Sequence, residues 1–174
     1  MKPFRSLLAA SIAVLALNAH AVSPSIAIPT SGEWVEFDFD AAGSSFYDLT
    51  TLQTSFSFTL SQSSLLRIVD LGFSGDRFSI SLNGNTLGTT SAAVIGSDQM
   101  FTPEDAWNDS RYSKGQWLLA AGSYTLHGTA IASPEGGGFG VMSITAVPEP
   151  ESWGMLLAGL GVIGAIARRR AQRA

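Results

Sequence analysis

His127 is the only histidine beyond the first 21 residues, and it sits mid-pattern in Tyr124-Thr125-Leu126-His127-Gly128. A hydrolytic triad needs a base within reach of a nucleophile and an orienting carboxylate. Serines are abundant, but none lies in a Gly-x-Ser-x-Gly elbow. A lone histidine on a strand reads as a solvent-facing or hydrogen-bonded side chain, and one histidine cannot build a His-rich metal site. The chain has no cysteine, which removes disulfides, thiolate metal sites and a thiol nucleophile.

Carboxylates are the next resource. Asp98, Glu104, Asp105 and Asp109 share one polar stretch with Asn108. Calcium takes six to eight oxygen ligands, so Asp98, Asp105 and Asp109 are the candidate metal ligands. No Asp-x-Asp-x-Asp-Gly loop is present, and a solvated acidic loop accounts for the same residues. Two carboxylates about 5–9.5 Å apart could also hydrolyse a glycoside. A small hydrolase of that kind predicts turnover sensitive to Asp105 or His127. Trp107, Tyr112 and Trp117 lie in or beside the same stretch. Exposed, they would form a platform on which sugar rings stack; buried, they would close one end of a core. No glycine-rich run precedes a helix pattern, so a nucleotide site has no support. The few threonines around Thr89-Thr90 do not make the flat array that ice binding needs. The chemistry points to a binding or structural body that is not an enzyme and needs no cofactor.

The segments holding these residues read as strands. Val35, Phe37 and Phe39 alternate with Glu36, Asp38 and Asp40, the mark of a half-buried strand. Phe56, Phe58 and Leu60 repeat the pattern, and Phe78, Ile80 and Leu82 alternate with Ser79 and Ser81. Residues 65–71 form a more continuous apolar run. Asn83-Gly84 is a strong hairpin signal, because both residues tolerate positive φ. Residues 116–120, 124–132 and 139–146 complete the set, and residues 96–115 form a long interruption. Seven to nine short strands, with turns every 8–12 residues and no good amphipathic helix, predict an all-β fold. The expected form is an antiparallel β-sandwich, jelly-roll-like, over residues 33–146.

The two ends follow other rules. Lys2 and Arg5 precede a charge-free, largely apolar run over residues 7–17, and Ala19-His20-Ala21 offers small residues for cleavage. This predicts a secretory signal peptide at 1–21, served by the translocon and signal peptidase; a buried N-terminal helix is the alternative. Residues 22–32 read as an N-terminal extension. At the other end, Val147-Pro148-Glu149-Pro150 leads into a charge-free run over residues 153–167, then Arg168, Arg169 and Arg170. As a helix that run spans roughly 22 Å, short of a hydrocarbon core of about 30 Å. It is expected to anchor the chain transiently through a C-terminal transmembrane helix, with the arginines held on the cytoplasmic side. A plain anchor on a Pro-rich stalk is the alternative. Between the ends, four basic and twelve acidic side chains leave the body at −8, against −4 for the whole chain. Such a body will not seek nucleic acid or anionic lipid.

The tail at residues 147–173 resembles the PEP-CTERM sorting signal, also labelled an ice-binding-protein C-terminal domain. The resemblance rests on Pro148, Glu149 and Pro150, the glycine-rich apolar run and the cluster Arg168, Arg169 and Arg170. It implies an exported protein of a Gram-negative bacterium, processed near the Pro-Glu-Pro by an exosortase. It also implies release to the cell surface or a biofilm matrix of exopolysaccharide. The body resembles small domains of the same export family in Gly75-Asp76-Arg77-Phe78, Leu87-Gly88-Thr89-Thr90 and the run from Leu118 to Tyr124. A subfamily named for an F-x-D-x-F pattern has its nearest run at Leu52-Gln53-Thr54-Ser55-Phe56, where Leu and Thr replace the first Phe and the Asp. The resemblance implies a structural or adhesive matrix component; the alternative is a carbohydrate-binding module for exopolysaccharide.

Overall fold

The computed structural model describes residues 24–148 and 150–171. The expected signal peptide, with Ala19 and Ala21, lies outside the described residues, as does Glu149.

Two sheets face each other. The first has the order β1 (Ile26–Ala27), β3 (Phe56–Leu60), β9 (Gly122–Ala132), β5 (Arg77–Leu82), β6 (Asn85–Thr89). The second runs β2 (Ser31–Phe39), β10 (Gly138–Ala146), β4 (Ser64–Phe73), with β8 (Lys114–Leu119) and β7 (Gln99–Met100) both pairing β4. Every pairing is antiparallel except β1 with β3. This is the sandwich that the alternating pattern predicts. On β5, Phe78, Ile80 and Leu82 are buried while Arg77, Ser79 and Ser81 are half-exposed. Asn83 and Gly84 take φ of 51° and 80°, so the hairpin to β6 has positive φ at both turn residues, as a type I′ turn requires.

The core between the sheets is aromatic. Phe37 stacks on Phe46 at 3.8 Å between ring centres, and Phe78 meets Phe37 and Phe39 edge-on at 5.4 and 5.0 Å. Such arrangements add about 0.5–1.5 kcal/mol per pair beyond the area they bury. A second apolar cluster lies on the outer face of the second sheet, where Val69, Leu71 and Val141 are covered by Ala106 and Tyr112.

Three features depart from the expected outline. Residues 24–32 are built into the sandwich: Ile26 pairs with Phe56, and Ile28 is buried in the core. The long stretch 96–115 holds β7 and a short helix, α1 (Pro103–Asn108), the cover over the outer cluster. Proline in its first turn and Glu104 and Asp105 behind it suit a helix start. Lys114 closes the other end by donating to the carbonyls of Trp107 and Asp109. Finally, the C-terminal tail forms α2 (Pro150–Ala171), about 33 Å long at 1.5 Å per residue. Among the described residues no helix is long and apolar enough to cross a membrane. The charge-free stretch of α2 lies between Glu151 and Arg168. Its described side chains, Met155, Leu156, Leu157 and Leu160 among them, are exposed.

Candidate functional site

The expected aromatic platform does not form. Tyr112 is buried at 1% exposure, and its hydroxyl donates to the Gly72 carbonyl at 2.9 Å. Trp117 packs against the core between the sheets, whereas Trp107 belongs to the cluster on the outer face. The two tryptophans therefore sit on opposite faces of the second sheet. Trp107 instead clamps a cation. The Arg67 guanidinium lies 4.2 Å from the Trp107 ring and 4.8 Å from that of Trp34, and it pairs with Glu104 at 3.4 Å. The ring face turned to Arg67 is thereby occupied by the guanidinium.

The acidic stretch also has an internal partner. Arg111 pairs with Asp98 at 2.7 Å and with Asp109 at 2.8 Å. That contact, with the Arg111 backbone N–H, holds the Asp109 carboxyl below the usual range. Asp105 is exposed on α1 and takes no part. Among the described residues no group of three His, Cys, Asp or Glu side chains could hold a metal ion. Of the three candidate ligands, Asp98 and Asp109 are thus held by Arg111, and Asp105 stands apart from them.

Two features escape the residue-by-residue reading. The first is a buried acid pair between the sheets. Asp70 is 0% exposed and accepts the Asp76 backbone N–H at 3.3 Å; Asp76 is 4% exposed. Burial, with Asp76 nearby, pushes the Asp70 carboxyl up to about 9, and burial pushes Asp76 to about 6. Their Oδ1 atoms have no hydrogen-bond partner. An aspartate inside the apolar run 65–71 was the available signal.

The second is a polar groove on the outer face of the first sheet. Its floor is a ladder of hydroxyls set by register: Ser57 opposite Thr125, and Thr59 opposite Ser123. Two depressions of about 570 and 700 Å³ share Ser57 and Thr125. The larger is walled by Ser25, Gln53 and Thr54, with His127 at its edge. The His127 Nδ1 lies 3.0 Å from the Thr54 carbonyl, a contact that fixes the ring in the wall of the depression. Gln53 Oε1 is buried without a partner. No carboxylate or cation lines either depression. The signal was present in the sequence: the solvent positions of these strands are Ser and Thr rather than charged residues.

The sorting residues stand at the end of β10. Val147 N–H donates to the Ser63 carbonyl at 2.9 Å, Pro148 is exposed, and Pro150 opens α2. Arg168 and Arg169 are exposed near the end of that helix, and Arg170 follows them in it.

No curated protein matches the chain. Among solved structures, the pre-peptidase C-terminal domain of a collagenase from Bacillus anthracis is similar at 11% identity, over 71% of this chain and 98% of that one, with a TM-score of 0.41. A β-1,3-glucan-binding family 6 module from Bacillus halodurans is similar at 14% identity, over 67% and 87%, with a TM-score of 0.38. The C-terminal family 6 module of LamC, a laminarinase from Zobellia galactanivorans, is similar at 16% identity, over 65% and 99%, with a TM-score of 0.35. The sandwich assignment rests on the two sheets themselves. Residues 146–171 match the PEP-CTERM protein-sorting motif, so the chain carries the tail of an exported protein sorted by an exosortase.

Proposed function

We propose that the protein is a structural or adhesive component of the cell surface or extracellular matrix. An exosortase cuts it near Pro148-Glu149-Pro150 and releases the sandwich from the membrane. The observation that carries this reading is the sorting motif at residues 146–171, placed immediately after the last strand. Pro148 has no N–H to donate and Pro150 disfavours a helical conformation in the residue before it, so the sequence favours an extended approach to α2 that a protease can read. The sandwich serves as a non-catalytic body, in keeping with a His127 ring tied to the Thr54 carbonyl and with Asp98 and Asp109 both paired to Arg111. The test is the intact mass of the protein recovered from its native cells through an internal epitope. The expected product lacks residues 1–21 and everything beyond about residue 150. Glu149→Gln should abolish that product; a mature protein that keeps the arginine tail would overturn the reading.

A second reading, that the body binds exopolysaccharide, is favoured by the hydroxyl-lined groove on β3 and β9. Neutral hydroxyls and amides suit an uncharged glycan, which an acidic body does not repel. This reading moves the sugar contact from Trp107, Tyr112 and Trp117 to Ser57, Thr125 and Gln53. Retention on matrix polysaccharide should fall at least tenfold in Ser57→Tyr, which fills the groove floor. Equal retention by Ser57→Tyr and the wild type would remove it.

A further inference from the structure

The last strand leaves the sorting motif no slack. β10 ends at Ala146, and the backbone of Val147 is bonded to Ser63. The Gln62 side-chain amide donates to the Val147 carbonyl at 3.4 Å. The next element begins at Pro150. Three extended residues reach about 10 Å, so the motif lies within that distance of the folded body. β10 is paired on both sides, with β2 as far as Thr145 and with β4 as far as Ala146. Drawing more chain out of the fold would break two ladders at once. An enzyme that reaches the motif therefore also meets the end of the sandwich from which the tail leaves.

That end has its own chemistry. It is made of Thr30 and the start of β2 at Ser31 and Gly32, with the turns at 61–63, 83–84 and 120–121, and none of these residues is charged. The first charges inward are Glu33 on β2 and Arg67 on β4. At the opposite end, where Phe39 pairs with Gly138, lie the exposed acids Asp40 and Glu135. In a body at −8 the turns at the exit end are thus free of charge, with Glu33 the first acid beyond them. An acidic surface is repelled by anionic lipid headgroups. The fold keeps that repulsion away from the one end that the short connection forces against the membrane.

We propose that this uncharged end docks on the membrane-embedded processing enzyme, so that recognition extends from the Pro-Glu-Pro onto the folded body. The proposal rests on the sorting reading above. Its test uses the full-length chain in its native cells, with processing followed by pulse-chase. The exposed turn residues are replaced together as Ser61→Glu and Ala121→Glu, and the melting temperature of the purified body confirms that it still folds. Processing should slow at least fivefold. A six-residue Gly-Ser insertion between Val147 and Pro148 takes the body out of reach of the enzyme, so it should slow the otherwise wild-type chain to a similar degree and should not rescue the double variant. Wild-type processing of the double variant would overturn the docking proposal, as would its rescue by the insertion, which would assign the slowing to repulsion between the new charges and the lipid surface. Glu149→Gln separates the two ideas: normal processing of that variant removes the sorting reading itself.

Discussion

The Cα of Gly128 lies against the ring of Phe46, so that a methyl group at position 128 would overlap the ring. The two residues are also joined through the backbone, with Phe46 N–H donating to the Gly128 carbonyl at 2.9 Å. The ring stacked on Phe37 thus depends on an absent side chain one strand away. Gly128→Ala should destabilise the body by about 1–3 kcal/mol, the usual cost of overpacking. Thermal melting of the variant checks this. Adding Phe46→Leu should recover part of the loss, since residues in contact are not additive; full additivity of the two changes would show that the ring is not the obstacle.

Asp70 makes stability depend on pH in an unusual direction. Its folded carboxyl holds its proton up to about 9, whereas the unfolded one releases it near 4. The stabilising contribution is complete below about pH 4 and is lost as pH rises towards 9, because unfolding then releases a proton. Asp76, raised to about 6, acts in the same sense between about pH 4 and 6. The melting temperature should therefore fall between pH 5 and pH 8, and Asp70→Asn should flatten that slope. An unchanged slope in the variant would locate the titrating group elsewhere.

Arg111 is the clasp of the stretch between β6 and β8. It ties Asp98 to Asp109 across α1, and Tyr112 beside it is fixed to Gly72 and to the Asp98 carbonyl. Arg111→Ala should leave the sandwich folded but expose residues 91–110 to limited proteolysis. Cleavage within that stretch at the wild-type rate would show that the ion pairs do not hold it.

Trp107→Ala separates packing from recognition. The variant removes one face of the Arg67 stack and should lower stability by about 1–3 kcal/mol. Polysaccharide retention should not change. Loss of retention in a folded Trp107→Ala protein would return the sugar site to the outer face of the second sheet.

The strands were readable where one face is core and the other solvent. Phe78, Ile80 and Leu82 show this directly, and Asn83-Gly84 marks its own turn through local backbone preference. Ile26 was not readable, because a two-residue parallel pairing leaves no period. Nor was α1, six residues long and stabilised by what it covers rather than by its own propensity. Tyr112 and Trp117 were correctly picked out as aromatic, but which side of a sheet each occupies depends on register with β4, which is a tertiary fact. The groove escaped notice for the opposite reason: serine and threonine on a solvent face look ordinary until Ser57 and Thr125 are seen side by side.

The central position of β10 has a mechanical consequence. A protein held to a surface through its C-terminus is pulled along its last strand. Here that strand is flanked by β2 and β4, so tension loads two antiparallel ladders in shear together instead of peeling one edge open. Resistance to such a load is set by the rate of unfolding rather than by equilibrium stability. The attachment point is thereby the part of the fold best placed to bear drag.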